Sequence, residues 1–398
     1  MTSMLLNSAR LAAGALLALT LVGCRPHDFP QYPANYREYA YVTNGGSGTV
    51  SIYDVVNVRL DRELATGANP VAVAASPVRN EVYVLNSGVA TGQGWLTVID
   101  AEKNSITGSI ALHSQPVSIE IAPDGATAYI ANAGSNSISV VDLVARREVA
   151  RIGAGEQPAV ARLSPDGKTL VVANRGGNSV SLISPATRVV RAVFEGCPGA
   201  SDAVVLPDST KAFVACSGGH QIMILSLARD AKPASAQAVA TPAAPDRVES
   251  LLDVGRAPVH LALKPDGGEI FSSNLAADTV SEIYNSTDDV GDTFTIGDGP
   301  SLGLVSGDNA RLYVANSRSR YVTVYGIDDG KRLGSVPVGD GPTAMAFSNS
   351  GLLLLVADQR SGDVAVVRTA SQPSHALFTL LPAGRNPNAI VIKSFTVQ

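Results

Sequence analysis

A single phrase of about fourteen residues is written repeatedly along this chain. "YVTNGGSGTVSIYD" begins at Tyr41, and close variants follow, among them "YIANAGSNSISVVD" at Tyr129, "VVANRGGNSVSLIS" at Val171 and "YVANSRSRYVTVYG" at Tyr313. Aligned on this phrase, the units start at Tyr41, Tyr83, Tyr129, Val171, Phe213, Phe271, Tyr313 and Leu355. Spacings are 42 residues in most cases, with 46 after Tyr83 and 58 after Phe213. Helical repeats of similar length are excluded, because apolar residues alternate over four to six positions between Gly, Asn, Asp and Pro, with no 3.6-residue period.

One unit reads as four short strands. After G-x-x-P come strand A (159–163), the turn "SPDG", strand B (169–173), a Gly-Gly turn, strand C (179–183), "SPAT" and strand D (188–194). G-x-x-P recurs at Gly67, Gly155, Gly255, Gly297, Gly339 and Gly384, with degenerate forms at His113 and Gly196. That makes eight starts. The eighth runs out after strand A, whereas the chain opens on a strand B near Tyr36. The two ends therefore complete one unit. The fold class expected is all-β: a single β-propeller of four-stranded antiparallel blades, eight in number with seven as the alternative, closed by the terminal strands. Closure gives each sheet face a neighbour to bury against.

The words "YVTN", "YVAN", "SPDG" and "VSIYD" resemble those of the YVTN-repeat, YncE-like β-propeller family, over about residues 38–398. The resemblance implies an extracytoplasmic propeller without an established reaction. Lactonase propellers and the d1-haem propellers of nitrite reductase share that architecture, but a fold does not transmit chemistry.

The first residues read as a targeting segment. Arg10 precedes the apolar stretch Leu11–Val22, too short for a membrane span of about 20 residues. "LVGC" at Leu21–Cys24 resembles the lipobox of bacterial lipoproteins, which implies cleavage before Cys24 and lipidation of it. The domain plan is thus a signal peptide (1–23), a polar, Pro-rich tether (24–37) and the propeller (38–398). Arg25 rather than Asp follows the Cys, which implies the outer membrane, facing periplasm or exterior. The membrane, through Cys24, is the first expected partner. Net charge is −5 without a basic tract, which argues against nucleic acid.

Strand A of a propeller lines the central channel. Positions two and four after the Pro of G-x-x-P share one side of that strand. Four consecutive units carry ionisable residues there: Glu120, Arg162, Asp202 (allowing one inserted residue) and His260. The opposite arc is bland, with Leu302, Ala344, Ala346 and Ala389. The four are expected either to pair as a solvated lining or to bind a ligand, and in either case to shift one another's pKa. Near the same mouth a mixed rim is expected, with Arg175, Arg256, Arg318, Arg320, Arg360 and Arg385 among Glu156, Asp298, Asp340 and Asp358. The recurrent Asn (Asn44, Asn86, Asn132, Asn174, Asn274, Asn316) is expected to cap the B–C turn through the backbone two residues on.

Cys197 stands at the start of strand A in the fifth unit and Cys216 replaces the Asn at the end of its strand B, so a disulfide is expected in an oxidising envelope. The lone Trp95, on a B–C turn lengthened by four residues, reads as a binding lip or as packing against the next blade. The Ala/Pro-rich insertion 228–250 reads as a mobile loop between strands C and D of the fifth unit. "GPSLG" (299–303) matches a nucleophile-elbow pattern but coincides with the repeated turn, without the helix that an elbow needs. The five His are scattered, with no metal-ligand spacing, and C-x-x-C-H is absent, so no metal site or covalent haem is expected. Three functions follow. The first is an envelope-anchored module binding a protein or small molecule at the channel mouth, without catalysis. The second is a propeller-type lactone hydrolase using Glu120, Asp202 and His260 around a water or a metal. The third is a carrier of a non-covalent cofactor, d1 haem or a quinone, with His260 as ligand.

Overall fold

The computed structural model describes residues 31–89, 92–229, 243–369 and 375–397. They form eight four-stranded antiparallel sheets arranged as an eight-bladed β-propeller. The proposed signal peptide and Cys24 lie outside the described residues, as does the middle of the 228–250 insertion (230–242).

In blade four the strands are Pro158–Leu163, Leu170–Asn174, Ser179–Ser184 and Val189–Glu195, each within about one residue of the boundaries read from the sequence. Strands B and C are buried on both faces, because each sheet is covered by its two neighbours. This is why "VVAN" reads as an unbroken apolar run and not as an alternation. The outer strand D alternates instead, as in Val189–Glu195, where every second residue is exposed.

Blade one is built from both ends of the chain. Tyr36–Asn44 pairs antiparallel with Pro387–Thr396, bringing Ile390 opposite Val42 and Ile392 opposite Ala40. Strand Tyr36–Asn44 begins two residues before the expected start of the propeller, and Tyr32 already touches the ring. The inner strands adjoin in sequence around the axis, with Pro387–Thr396 packed between Pro342–Phe347 of blade eight and Pro70–Ala75 of blade two.

The disulfide joins Cys197 and Cys216, whose Cα atoms are 4.8 Å apart. Both residues are fully buried. Cys216 occupies the slot that Asn holds in six other blades, and Ala200 pairs with it where Pro pairs elsewhere, which establishes the extra residue before Asp202. Replacing both cysteines by Ala is expected to lower unfolding free energy by about 3 kcal/mol, the chain-entropy value for a loop of this size, as read by urea titration.

Candidate functional site

Each G-x-x-P turn delivers the chain to the channel in the same way. The residue just before strand A has a left-handed backbone in all eight blades, with φ from 48° at Gln157 to 70° at Gly341. A conformation repeated around the whole ring belongs to the architecture, so its presence at Gln115, Gln157 and Ala257 does not mark a site. The leading Gly has a separate reason. A Cβ at Gly155, Gly255 or Gly297 would fall 2.6, 2.5 and 2.2 Å from its nearest neighbour, the Asn that ends strand B in the first and third cases and Thr279 beside that Asn in the second.

That Asn is fully buried and does not cap a turn in the way the sequence suggests. Its Nδ2 donates across the B–C hairpin to a hydroxyl on strand C, as from Asn44 to Ser51 (2.9 Å), Asn174 to Ser181 (2.9 Å) and Asn316 to Thr323 (3.0 Å). Blade eight breaks the rule. Asp358 stands in the Asn slot and Asp363 in the position five residues on, where blades four and six have Ser179 and Thr279. Oδ2 of Asp358 accepts the Gly339 amide at 2.9 Å, and its carboxyl faces that of Asp363. Burial, followed by the Asp363 carboxyl, pushes Asp358 up to about 8.

The four ionisable residues of the inner strands do come together. Arg162 lies between two carboxylates, with Nη1 3.7 Å from Glu120 Oε2 and Nη2 3.3 Å from Asp202 Oδ1. Its Nε donates to the Ala203 carbonyl at 3.3 Å. Asp202 Oδ2 accepts the Leu261 amide at 3.1 Å and lies 3.8 Å from His260 Nε2. His260 Nδ1 in turn accepts the Gly303 amide at 3.3 Å. An arc of polar contacts thus runs through blades three, four, five, six and seven.

The physical reason is the free edge of each sheet. Strand A is an outermost strand of its sheet, so alternate backbone groups point at the neighbouring blade with no ladder partner. Asp202, His260 and Arg162 satisfy three of these groups, at Leu261, Gly303 and Ala203. Because Nδ1 of His260 accepts an N–H, the ring is neutral with its proton on Nε2, facing Asp202. Burial pushes this imidazole below its ordinary range; Asp202 opposes the shift and Arg162 adds to it. Burial likewise lifts Glu120 above the usual carboxylate range, against the pull of Arg162 and of a hydrogen bond from the Leu163 backbone. The lumen side of these groups remains accessible, with 35% of the Arg162 side chain and 27% each of Glu120 and His260 exposed, against 10% of Asp202. Arg162→Met is expected to cost about 2 kcal/mol by leaving two carboxylates without their cation, and Glu120→Gln in that background should restore part of it. Melting curves of the three proteins check this.

Other expectations resolve simply. Trp95 donates from Nε1 to the Thr66 carbonyl at 3.0 Å and covers Gly67, so it packs on the turn entering its own blade and is not a free lip. Ser301 donates to Ala315 within its own blade (3.4 Å). On the rim, Arg318 pairs with Asp278 and Asp298, and Arg320 and Arg360 with Asp340. Among the described residues no three His, Cys, Asp or Glu side chains converge closely enough to hold a metal ion. A haem iron would need a free imidazole lone pair. That of His260 is engaged by Gly303, so His260 does not fit as an axial ligand. His375 contacts Tyr313 (3.2 Å) and is not part of this arc.

Neither a protein-family model nor a curated protein sequence matches this chain. Solved structures match its fold. Dihydro-haem d1 dehydrogenase NirN, in complex with DHE, aligns with a TM-score of 0.69 and 14% identity over 94% of this chain and 78% of its own. A Bacteroides fragilis candidate 6-phosphogluconolactonase aligns with a TM-score of 0.61 and 14% identity over 92% and 99%. Kuenenia stuttgartiensis hydrazine synthase aligns with a TM-score of 0.56 and 22% identity over 72% and 91%. At these identities the likeness is one of fold.

Proposed function

We propose that this protein is an envelope-anchored propeller that binds a small polar ligand or a protein partner at its channel mouth and catalyses no reaction of its own. The observation that carries this reading is the commitment of Asp202 and His260 to backbone amides of neighbouring blades. A general base in the lumen would have to release a contact that holds two blades together. Glu120, Arg162 and His260 keep accessible faces toward the channel; the Glu120–Arg162 ion pair is assigned to the ligand, and Asp202, the least exposed of the four, positions Arg162. Lipidation at Cys24, in the outer membrane, supplies the anchor. The fold neighbours include a d1-haem protein and a candidate lactonase, which keeps both chemistries on the list to be tested.

The test uses full-length protein solubilised from its own envelope. After cross-linking, one species is expected to be recovered with the wild type and lost with a folded Arg162→Met variant. Turnover of 6-phosphogluconolactone abolished by His260→Ala would overturn the reading in favour of an enzyme. A visible absorption band that co-purifies with the protein would overturn it in favour of a cofactor carrier.

A further inference from the structure

The chain leaves the ring at a fixed place. Tyr32 stacks on Tyr36, with ring centroids 4.6 Å apart, and its hydroxyl donates to Ser350 Oγ at 3.3 Å. Asn35 exchanges two hydrogen bonds with Val397: its carbonyl accepts the Val397 amide at 2.9 Å and its Nδ2 donates to the Val397 carbonyl at 3.1 Å. Glu38, buried, receives the Tyr36 hydroxyl on one oxygen (2.9 Å) and the Asn349 amide on the other (2.6 Å). Asn349 and Ser350 lie in the A–B turn of blade eight. The face made by the A–B and C–D turns therefore carries the exit point, whereas the G-x-x-P turns and the channel mouth lie on the opposite face, at the Asn44 end of the same strand.

Length then sets orientation. Eight residue steps separate Cys24 from Tyr32 and span at most ~27 Å when fully extended. The strand Tyr36–Asn44, likewise eight steps, by itself covers ~27 Å between the two faces. A tether docked at Tyr32 is used up by that height alone, with nothing left to round the outer strands of the blade, so it cannot place the mouth on a bilayer. We infer that the protein stands on its membrane on the A–B/C–D face and presents the channel mouth, with Glu120 and Arg162 behind it, away from the lipid. This rests on the lipid anchor at Cys24 proposed above. A cleft of about 520 Å³ lined by Arg311, Tyr313, Phe347 and Ser350 lies on that membrane-side face.

The full-length lipoprotein, reconstituted in phosphatidylethanolamine–phosphatidylglycerol vesicles with a rhodamine headgroup acceptor, tests this. Donor dyes are placed on Gly307→Cys (A–B turn of blade seven, where a Cβ meets nothing within 4 Å), Phe378→Cys (exposed on the outer strand of blade eight) and Glu156→Cys (exposed at the mouth). Energy transfer is expected to be several-fold greater from 307 than from 156, with 378 between them. Removing the dock with Tyr32→Ala and Asn35→Ala is expected to narrow that difference. Equal transfer from 307 and 156, greater transfer from 156, or the greatest transfer from 378 overturns the orientation. Metabolic labelling with an alkynyl fatty acid, lost in Cys24→Ser, reports on the anchor separately. An unlabelled wild type removes the anchor, and the orientation with it, whereas a labelled protein with the wrong transfer order removes the orientation alone.

Discussion

A chain ending at Gly384, without the strand Pro387–Thr396, is expected to lose its cooperative thermal transition and to aggregate. That strand pairs with Tyr36–Asn44 along its whole length and packs against the inner strands of blades eight and two. Its removal uncovers Ala40, Tyr41 and Val42, all fully buried in the intact ring. It also leaves blade one with a bare inner edge next to an unclosed gap. A repeat protein missing an end repeat keeps a stack; a ring missing part of one blade loses two interfaces at once. Circular dichroism melts and size-exclusion chromatography check this, and a truncated chain that is monomeric and melts within a few degrees of full length would contradict it. The matching control is a circular permutant. Asn35 and Val397 are hydrogen-bonded neighbours, so a short linker between them, with new ends opened between Arg229 and Ala244, keeps every strand and is expected to fold.

Asp358→Asn is expected to stabilise the protein at high pH, by an amount on the order of 6 kcal/mol at pH 9 and none near pH 3. The sign follows from where the proton is held. In the folded ring Asp358 titrates near 8, whereas an unfolded chain releases the same proton near the ordinary value of 3.8. Between those values the native state binds more protons than the unfolded state, so stability falls as pH rises through this window. This is the reverse of the usual salt-bridged Asp. The groups facing Asp358 are the Asp363 carboxyl and the amides of Gly339 and Ala365. The substitution would restore what six other blades have, an amide that donates toward strand C. Urea titrations of both proteins from pH 3 to 9 should diverge as pH rises and run parallel above about pH 8. Parallel behaviour throughout would show that the carboxyl pair carries no strain.

The ring was legible because its rules are local and repeat. G-x-x-P, the SPDG-type turn and an apolar run ending in Asn specify an edge strand, a hairpin and a doubly covered strand, and eight such sets need a circle. The disulfide was legible for the same reason, since Cys197 and Cys216 fall at the adjoining ends of strands A and B. Counting two and four residues from the Pro locates the inner arc, because it assigns Glu120, Arg162, Asp202 and His260 to one side of their strands. What the count does not contain is the demand made by unpaired amides of the next blade, and that demand decides where Asp202 and His260 point. The Asn passes for a turn cap because its partner is a hydroxyl seven residues away across a hairpin, beyond the reach of a local turn rule. Asp358 passes for a rim charge for a similar reason: alone it is an ordinary loop acid, and only the hairpin register sets it against Asp363. The docking of Tyr32 and Asn35 involves Ser350 and Val397, more than 300 residues distant, and no periodicity encodes it.

The joining of the two termini has a consequence for biogenesis. Thr43 finds its partner Ala389 only 346 residues later. A chain emerging in order, whether from a ribosome or across a membrane, carries the hairpin of Tyr36–Asn44 with a naked hydrogen-bonding margin until Pro387–Thr396 arrives. Seven blades can assemble as they appear, but the final register of the first must wait. The strand Pro387–Thr396 is thus the latch. A nascent or secreted form of this protein is therefore most in need of a chaperone at Tyr36–Asn44, for as long as Pro387–Thr396 has yet to emerge.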